Sequence, residues 1–283
     1  MTQYSAKMMV FAMDFLEDHT LLDHELVGED IVSNDVAKGL GEFMGKIHAA
    51  THSSKVSTER FDFLVKNFEN RPMRDIQLEY VFTKCYKEAT DEQKSGLNIN
   101  EAFMKEVEVL KAAYDGANAD NLSLCHGDLH PGSIMVHGGD VKVIDPEFTV
   151  YGPPGLDVGS LLSGYVLGAV HQAYAGNTEA AESIIEGTGA IWTAYASELQ
   201  SAGISHEIMA NIEAETVGFT LAEVCRTALE FAGGRKWLQF EDAKVKAESR
   251  NAALNIVDKC MIHRHSDGMK LLLNSMKEFS KVN

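Results

Sequence analysis

Residues 125–148, CHGDLHPGSIMVHGGDVKVIDPEF, constrain the fold more tightly than any other stretch of the chain. Two short runs, SIMVH and DVKVID, flank Gly138-Gly139. That pattern predicts a β-hairpin with a two-residue turn, because glycine takes the positive φ angles of such a turn without a steric cost. With those glycines at the turn, the register leaves no freedom, and Asp145 falls opposite Gly132, four residues from Asp128. Glu147 follows Asp145 by two positions, and an extended chain points both side chains to one face. Each acid alone would read as a solvated turn residue. Converging carboxylates, however, repel unless a hard cation or a shared proton lies between them. An oxygen-rich set with no thiolate or imidazole array suits Mg²⁺, which takes one or two carboxylates together with phosphate oxygens.

The chain around this hairpin has 283 residues, enough for one large domain or two small ones. It carries 25 Lys+Arg against 42 Asp+Glu, a formal net charge of −17. Such a field argues against nucleic acid and against a polybasic contact with a membrane surface. It also repels an anionic substrate unless a metal ion or local basic residues offset it. Cys85, Cys125, Cys225 and Cys260 form no CxxC pair, so reduced thiols in the cytoplasm are expected. The start of the chain, MTQYSAKMMVFAMDFLED, reads as neither a signal-peptide core nor a cleavage site. The most apolar stretch, residues 158–170, is too short and too broken by Gly and Ser to span a bilayer and reads as a buried helix.

The fold class expected is mainly α with a small β-hairpin. Residues 8–13 are nearly all apolar and predict a strand buried on both faces. Val36, Leu40, Phe43, Met44 and Ile47 recur at helical spacing, with Asn34 or Ser33 as the cap. Phe103, Met104, Val107, Leu110 and Tyr114 do the same behind Asn100, and residues 60–90 between them are helical but less periodic. LSLCH is a short strand. After YGPPG the chain returns to helices, the clearest at 209–232 (closing on Gly233-Gly234), 242–263 and 267–281. His48 and His52 at i,i+4 lack the acid of a zinc-protease helix, and His263 and His265 at i,i+2 share no helical face, so neither pair predicts a metal site.

HGDLHPGS followed by VIDPEF resembles the catalytic and metal-binding segments of the aminoglycoside phosphotransferase and choline kinase superfamily, small-molecule kinases with a protein-kinase-like fold. Within it the chain is most similar to the 5-methylthioribose kinase family, through Asp145-Pro146-Glu147, YGPPGLDVG and Ser133 where other members carry Asn. Weaker similarity runs through MDFLEDHTLLDHEL, LGEFMGKIHAATHSS, NRPMRDIQLEYVF and VGFTLAEVCRTALEFA. The resemblance implies ATP and Mg²⁺ as cofactors and a small sugar as substrate, in the setting of methionine salvage. It implies that Asp128 orients the attacking hydroxyl and is the candidate base for it. It implies that Asp145 and Glu147 hold the metal, and that His126, Ser133 and Asp157 support the loop. Arg226 matches the first of two adjacent arginines that line the substrate end, and Thr227 stands at the second. Arg235 or Lys236 replaces the missing charge, or the two are simply an exposed basic pair near a helix end.

The same resemblance places residues 1–18 as a remnant strand and hinge of an N-terminal lobe, and 19–283 as the helical catalytic and substrate-binding lobe. A kinase of this kind also needs a glycine-rich loop and a lysine over the phosphates. Neither precedes residues 8–13, so this chain alone is expected to show little kinase activity. Three readings stay open: a methylthioribose kinase, a kinase of another hydroxylated metabolite or aminoglycoside, and a ligand-binding relative without phosphoryl transfer. An apolar strand with open edges is an association hazard. A homodimer or another chain is therefore expected to cover it.

Overall fold

The computed structural model describes residues 3–28, 32–233 and 235–279, without the side chains of Gln3 and Phe11. The chain opens with a hairpin, β1 (Gln3–Ser5) on β2 (Val10–Ala12). This corrects the expected doubly buried strand over 8–13. The strand is three residues long, Met9 turns at φ 52°, and Met8, Met9, Val10, Met13 and Phe15 are exposed. An all-apolar run fixes no burial by itself. Here β1 occupies one edge of β2, so that edge is paired rather than open.

Next come β3 (Thr20–Leu21) and the short helix α1 (Leu22–Val27). Helix α2 (Asn34–Thr51) starts at Ser33, whose hydroxyl caps the Asp35 N–H. Helices α3 (Thr58–Asn67) and α4 (Arg71–Glu79), a wider π-type turn at Tyr80–Lys84, and α5 (Cys85–Glu88) fill the region expected to be weakly periodic. Helix α6 (Glu101–Ala112) is capped by Asn100, whose side chain accepts the Phe103 N–H.

The β insert follows as expected, with two additions. Strands β5 (Ile134–His137) and β6 (Asp140–Val143) pair with His137 opposite Asp140, the register that the Gly-Gly turn dictates. Ile144 N–H bonds the Ser133 carbonyl, one step beyond the ladder. β3 adds a third strand on β5, while β4 (Ser123–Cys125) pairs with β7 (Val150–Gly152) in a separate ribbon. The short, polar-flanked β3 and β7 gave no alternation to read.

Helix α7 (Gly155–Tyr174) is buried along nearly its whole length, which explains its lack of a polar face. Around it pack α2, α8 (Thr178–Ser201), α9 (His206–Ala228), α10 (Ala243–Met261) and α11 (Gly268–Phe279). On α11, Met269, Leu272 and Met276 face the core, while Leu273 and Phe279 lie partly buried against it. Residues 280 and 281 of the expected last helix lie outside the described residues, as does Gly234 of the expected Gly-Gly stop. Helix α9 in fact ends earlier, at Ala228. Glu230 takes the left-handed conformation (φ 67°), Glu230 N–H bonds the Thr227 carbonyl, and Phe231 N–H bonds the Arg226 carbonyl. This closing motif usually recruits glycine, so a glutamate in that place hides it from the sequence.

Helix α7 meets the Asp128 loop at a tight contact. A Cβ on Gly164 of α7 would lie 2.3 Å from Cγ of Pro131, in the loop that carries Asp128. Gly164→Ala is therefore expected to overpack this seam and to destabilise the protein by about 1–3 kcal/mol, read as a lower urea midpoint at unchanged slope.

Candidate active site

The Asp128 loop is held by a buried carboxylate. Asp157, in the first turn of α7, accepts the His126 N–H at 2.7 Å and the Gly127 N–H at 2.9 Å, and lies 3.2 Å from His48 Nε2. Burial pushes its pKa up, but the His48 contact and the loop N–H groups outweigh that and leave it below the ordinary carboxylate range. His126 Nδ1 accepts the Asp128 N–H, at a long 3.4 Å, so its proton sits on Nε2, which reaches the Ile144 carbonyl at 2.9 Å. Ser133 Oγ donates to the Asp128 carbonyl at 2.9 Å. Gly127 has φ +89°, and a Cβ there would sit 2.0 Å from the Phe148 carbonyl oxygen. Only glycine lets the Asp128 loop and the 145–148 turn touch.

Helix α4 clamps both loops from outside, which the sequence motifs did not signal. Gln77 donates to the Gly127 carbonyl at 2.7 Å and is itself held by the Tyr114 hydroxyl at 2.5 Å. Asn70 donates to the carbonyls of Glu147 (2.8 Å) and Thr149 (3.1 Å). Buried Arg74 donates to the carbonyls of Tyr114 and Tyr151. These bonds cross 37 to 79 residues of sequence, and only the fold reveals them.

Asp145 and Glu147 sit beside this loop on a turn, not on the extended strand expected from their spacing. Asp145 is left-handed (φ 63°), and Pro146–Phe148 form a single 3₁₀ turn. Both side chains are exposed and make no hydrogen bond or ion pair with the described residues. The structure does not draw Asp128, Asp145 and Glu147 together as a ready-made ligand set. Among the described residues, only His48, Cys125 and Asp157 bring three ligating atoms within 4.8 Å of one another. That trio is a hydrogen-bonded knot: the Asp157 oxygens already serve His126, Gly127 and His48, and burial pushes the Cys125 thiol well up. Asp145 and Glu147 are different. Two unpaired, solvent-facing carboxylates two residues apart fit a Mg²⁺ ion that also takes water and phosphate oxygens.

Asp128 lines a cavity of about 350 Å³ together with Glu223, Arg226 and Arg235, with Tyr80, Phe148 and Phe231 as apolar wall. Burial, then Glu223, push its pKa up to about 6, against the pull of Arg235, Arg226 and His126. His130, 3.6 Å from Asp128, is pushed down to about 4 by burial and by Arg235, so it is neutral at pH 7. Its Nδ1 accepts the Gly132 N–H at 2.9 Å, which leaves Nε2–H directed at Asp128. Arg226 binds Glu223 at 2.6 and 3.1 Å, and Arg235 approaches the same oxygen at 3.8 Å. Arg235 is largely buried and Lys236 exposed, so the two are not an exposed basic pair. Glu223 stands three residues before Arg226 on one helix face, a spacing visible in the sequence. His130 stands two residues after Asp128 in the motif, whereas Arg235 is brought to it only by the fold. Chemically, a carboxylate near pKa 6 can take a proton from a bound hydroxyl close to neutral pH, beside cations able to hold an oxyanion.

Residues 3–195 match the model of the phosphotransferase enzyme family (APH). A methylthioribose kinase of Escherichia coli O45:K1 (strain S88 / ExPEC) is 30% identical over 171 residues, 58% of this chain and 41% of that protein. One of Exiguobacterium sibiricum is 26% identical over 242 residues, 78% of this chain and 60% of that protein. The chain thus spans about half the length of the curated relatives it matches. Among solved structures, a glucosamine kinase aligns over 82% of this chain and 56% of its own, with 14% identity and a TM-score of 0.42.

The raised pKa of Asp128 makes it a cost to folding once it ionises. A group whose folded pKa lies above its unfolded value lends stability at low pH and loses it as pH rises through the folded pKa. From an ordinary 3.8 to about 6, the loss is on the order of 1–3 kcal/mol and falls between about pH 4 and 6. Asp128→Asn is therefore expected to be more stable than the wild type by that amount at pH 8 and equal to it at pH 4, in urea melts at both pH values.

Proposed function

We infer the function from one premise: the chain belongs to the phosphotransferase enzyme family, whose model spans residues 3–195. From it we propose an ATP-dependent small-molecule kinase that phosphorylates a sugar hydroxyl, with methylthioribose as the substrate. The observation that carries the proposal is the placement of Asp128. It lies at the wall of a cavity large enough for a small sugar, on a loop bonded to the turn that bears Asp145 and Glu147. The names of the curated relatives support methylthioribose, and the apolar wall of Tyr80, Phe148 and Phe231 beside polar Asp128 and Arg226 suits a sugar with an apolar appendage.

In this reading the sugar enters the 350 Å³ cavity with its acceptor hydroxyl at Asp128. As that oxygen bonds to the γ-phosphorus, its proton passes to the Asp128 carboxylate and the bond from the γ-phosphorus to the ADP oxygen breaks. Most of the catalytic power in such a reaction comes from positioning and charge neutralisation. Asp145 and Glu147 would hold Mg²⁺, which supplies charge neutralisation at the phosphates when bound. His126, Ser133 and Asp157 fix the Asp128 loop, and Arg226 holds the sugar end. Residues 1–18 serve as strand and hinge toward the nucleotide side, and the remainder as the substrate-binding lobe. No helix among the described residues is long and apolar enough to cross a membrane. We place the protein in the cytoplasm, in keeping with four free, buried cysteines.

Titration calorimetry of the 283-residue protein tests the substrate. Methylthioribose is expected to bind, ribose and an aminoglycoside at least about tenfold more weakly, and Arg226→Met to weaken methylthioribose by a similar factor. Equal binding of all three ligands would overturn methylthioribose as the substrate. With Mg-ATP added, ADP release by this chain alone is expected to be slow, because its residues include no glycine-rich phosphate loop with a paired lysine. Fast release would contradict that expectation, and Asp128→Asn should then abolish it.

A further inference from the structure

A second cavity, of about 340 Å³, opens between α6 with the turn after it, α9, and the loop that joins α10 to α11. It shares no lining residue with the cavity at Asp128, and the kinase reading makes no use of it. Most of its wall is aliphatic, from Val109, Leu110, Ala113 and Ala214, and its ionisable side chains are Arg264, His265 and Glu215. Arg264 is buried, its side chain 1% exposed. Its Nε donates to Glu106 Oε2 at 2.8 Å and its Nη1 to the Ala214 carbonyl at 3.0 Å. Its Nη2 is buried with no partner among the described residues. The same Glu106 oxygen already lies 3.1 Å from His265 Nε2. A buried donor left unmet is costly, so it calls for an acceptor. Glu215 is buried too; Asn121 donates to its Oε2 at 2.7 Å, and Asn118 bonds its side chain. Those bonds leave about half of the carboxylate's lone-pair sites unused. Burial pushes its pKa up to about 7, against the pull of Asn121, Arg264 and Asn118, so at pH 8 it is an acceptor.

We propose that this cavity is a second small-molecule site for a neutral ligand with an apolar body and an amide edge, its carbonyl accepting from Arg264 and its N–H donating to Glu215. An apolar pocket with a few convergent polar groups is the usual form of such a site, and this volume lies at the small end of the range, enough for a single ring or a short branched chain. The polar groups choose the head group. A guanidinium nitrogen with unmet N–H bonds wants an acceptor, and a carboxylate with spare lone pairs wants a donor. An amide supplies both on one edge. An anionic head would instead be set against Glu106 and Glu215, in a chain of net charge −17. The inference stands on these residues alone and does not depend on the kinase reading.

Benzamide is the probe, titrated at pH 8 into the isotope-labelled 283-residue protein and followed by two-dimensional NMR of the backbone amides. It is expected to bind at millimolar concentration and to shift the signals of Leu110, Ala113 and Ala214 while those of Gly127 and Asp128 stay in place. Acetophenone, which lacks the N–H, and benzoate, which adds a charge, should each bind at least about tenfold more weakly. Arg264→Lys keeps the charge but loses the planar fork, and should weaken benzamide by a similar factor. Ala112→Trp, at an exposed position of the cavity wall, fills the cavity while leaving Arg264 and Glu215 in place, and should abolish binding. Thermal melts show whether each variant folds; if Arg264→Lys does not, Ala112→Trp decides. No benzamide binding at millimolar concentration, or binding unchanged by Ala112→Trp, overturns the site. Equal binding of the three compounds overturns the amide edge and the proposal with it. Shifts centred on Asp128 would place the probe in the other cavity and overturn it too.

Discussion

The site depends on one buried charge. Asp157 lies in the first turn of the central helix and receives two backbone N–H groups of the Asp128 loop, with His48 of α2 sharing the oxygen that takes the His126 N–H. His48 in turn meets the Tyr195 hydroxyl of α8. A single carboxylate thus ties the β insert to three helices. A buried ion without such partners would cost several kcal/mol. Here the backbone of the loop is the partner, so the ion and the loop conformation require each other.

From that anchor the rest of the site follows in layers. The Asp128 loop touches the 145–148 turn through glycine-only contact at Gly127, and α4 braces both from outside through Asn70 and Gln77. The outcome is two loops held in fixed relation, one placing a carboxylate in the wall of an open cavity, the other presenting two free carboxylates to solvent. The different surroundings give the acids different character. Asp128 is desolvated and titrates near neutrality, while Asp145 and Glu147 stand in water. Similar residue types are thereby fitted for different tasks.

Much of this was legible because the hairpin is local. A two-residue Gly-Gly turn and the two-residue period of a strand leave one register, so Ile134 opposite Val143 could be read without a structure. The spacing of Asp145 and Glu147 was equally plain, although the argument for their shared face assumed a strand where Asp145 is left-handed and the next three residues turn. The N-terminal strand misled because an apolar run specifies strand propensity and not burial; β1 and solvent took the places expected of core neighbours. The end of α9 misled because Glu230, not a glycine, adopts the left-handed residue that stops the helix. The environment of Asp128 was the least legible part. Burial, Glu223, Arg235 and Arg226 set its charge, and those three side chains meet it only across the folded cavity.

The stop at Glu230 has a consequence for how such a protein can change. The helix closes by bonding the Phe231 N–H to the carbonyl of Arg226, so the loop that carries Arg235 is tethered at the residue that shares Glu223 with it. One guanidinium is fixed to a rigid helix, and the other rides on a loop tethered at a defined point. Insertions or deletions between Phe231 and Arg235 would move one arm of the pair, while Trp237 and Leu238, buried in the core, anchor the far end of the loop. The spacing of the two guanidiniums can then change through loop length alone, with every residue of the helix kept.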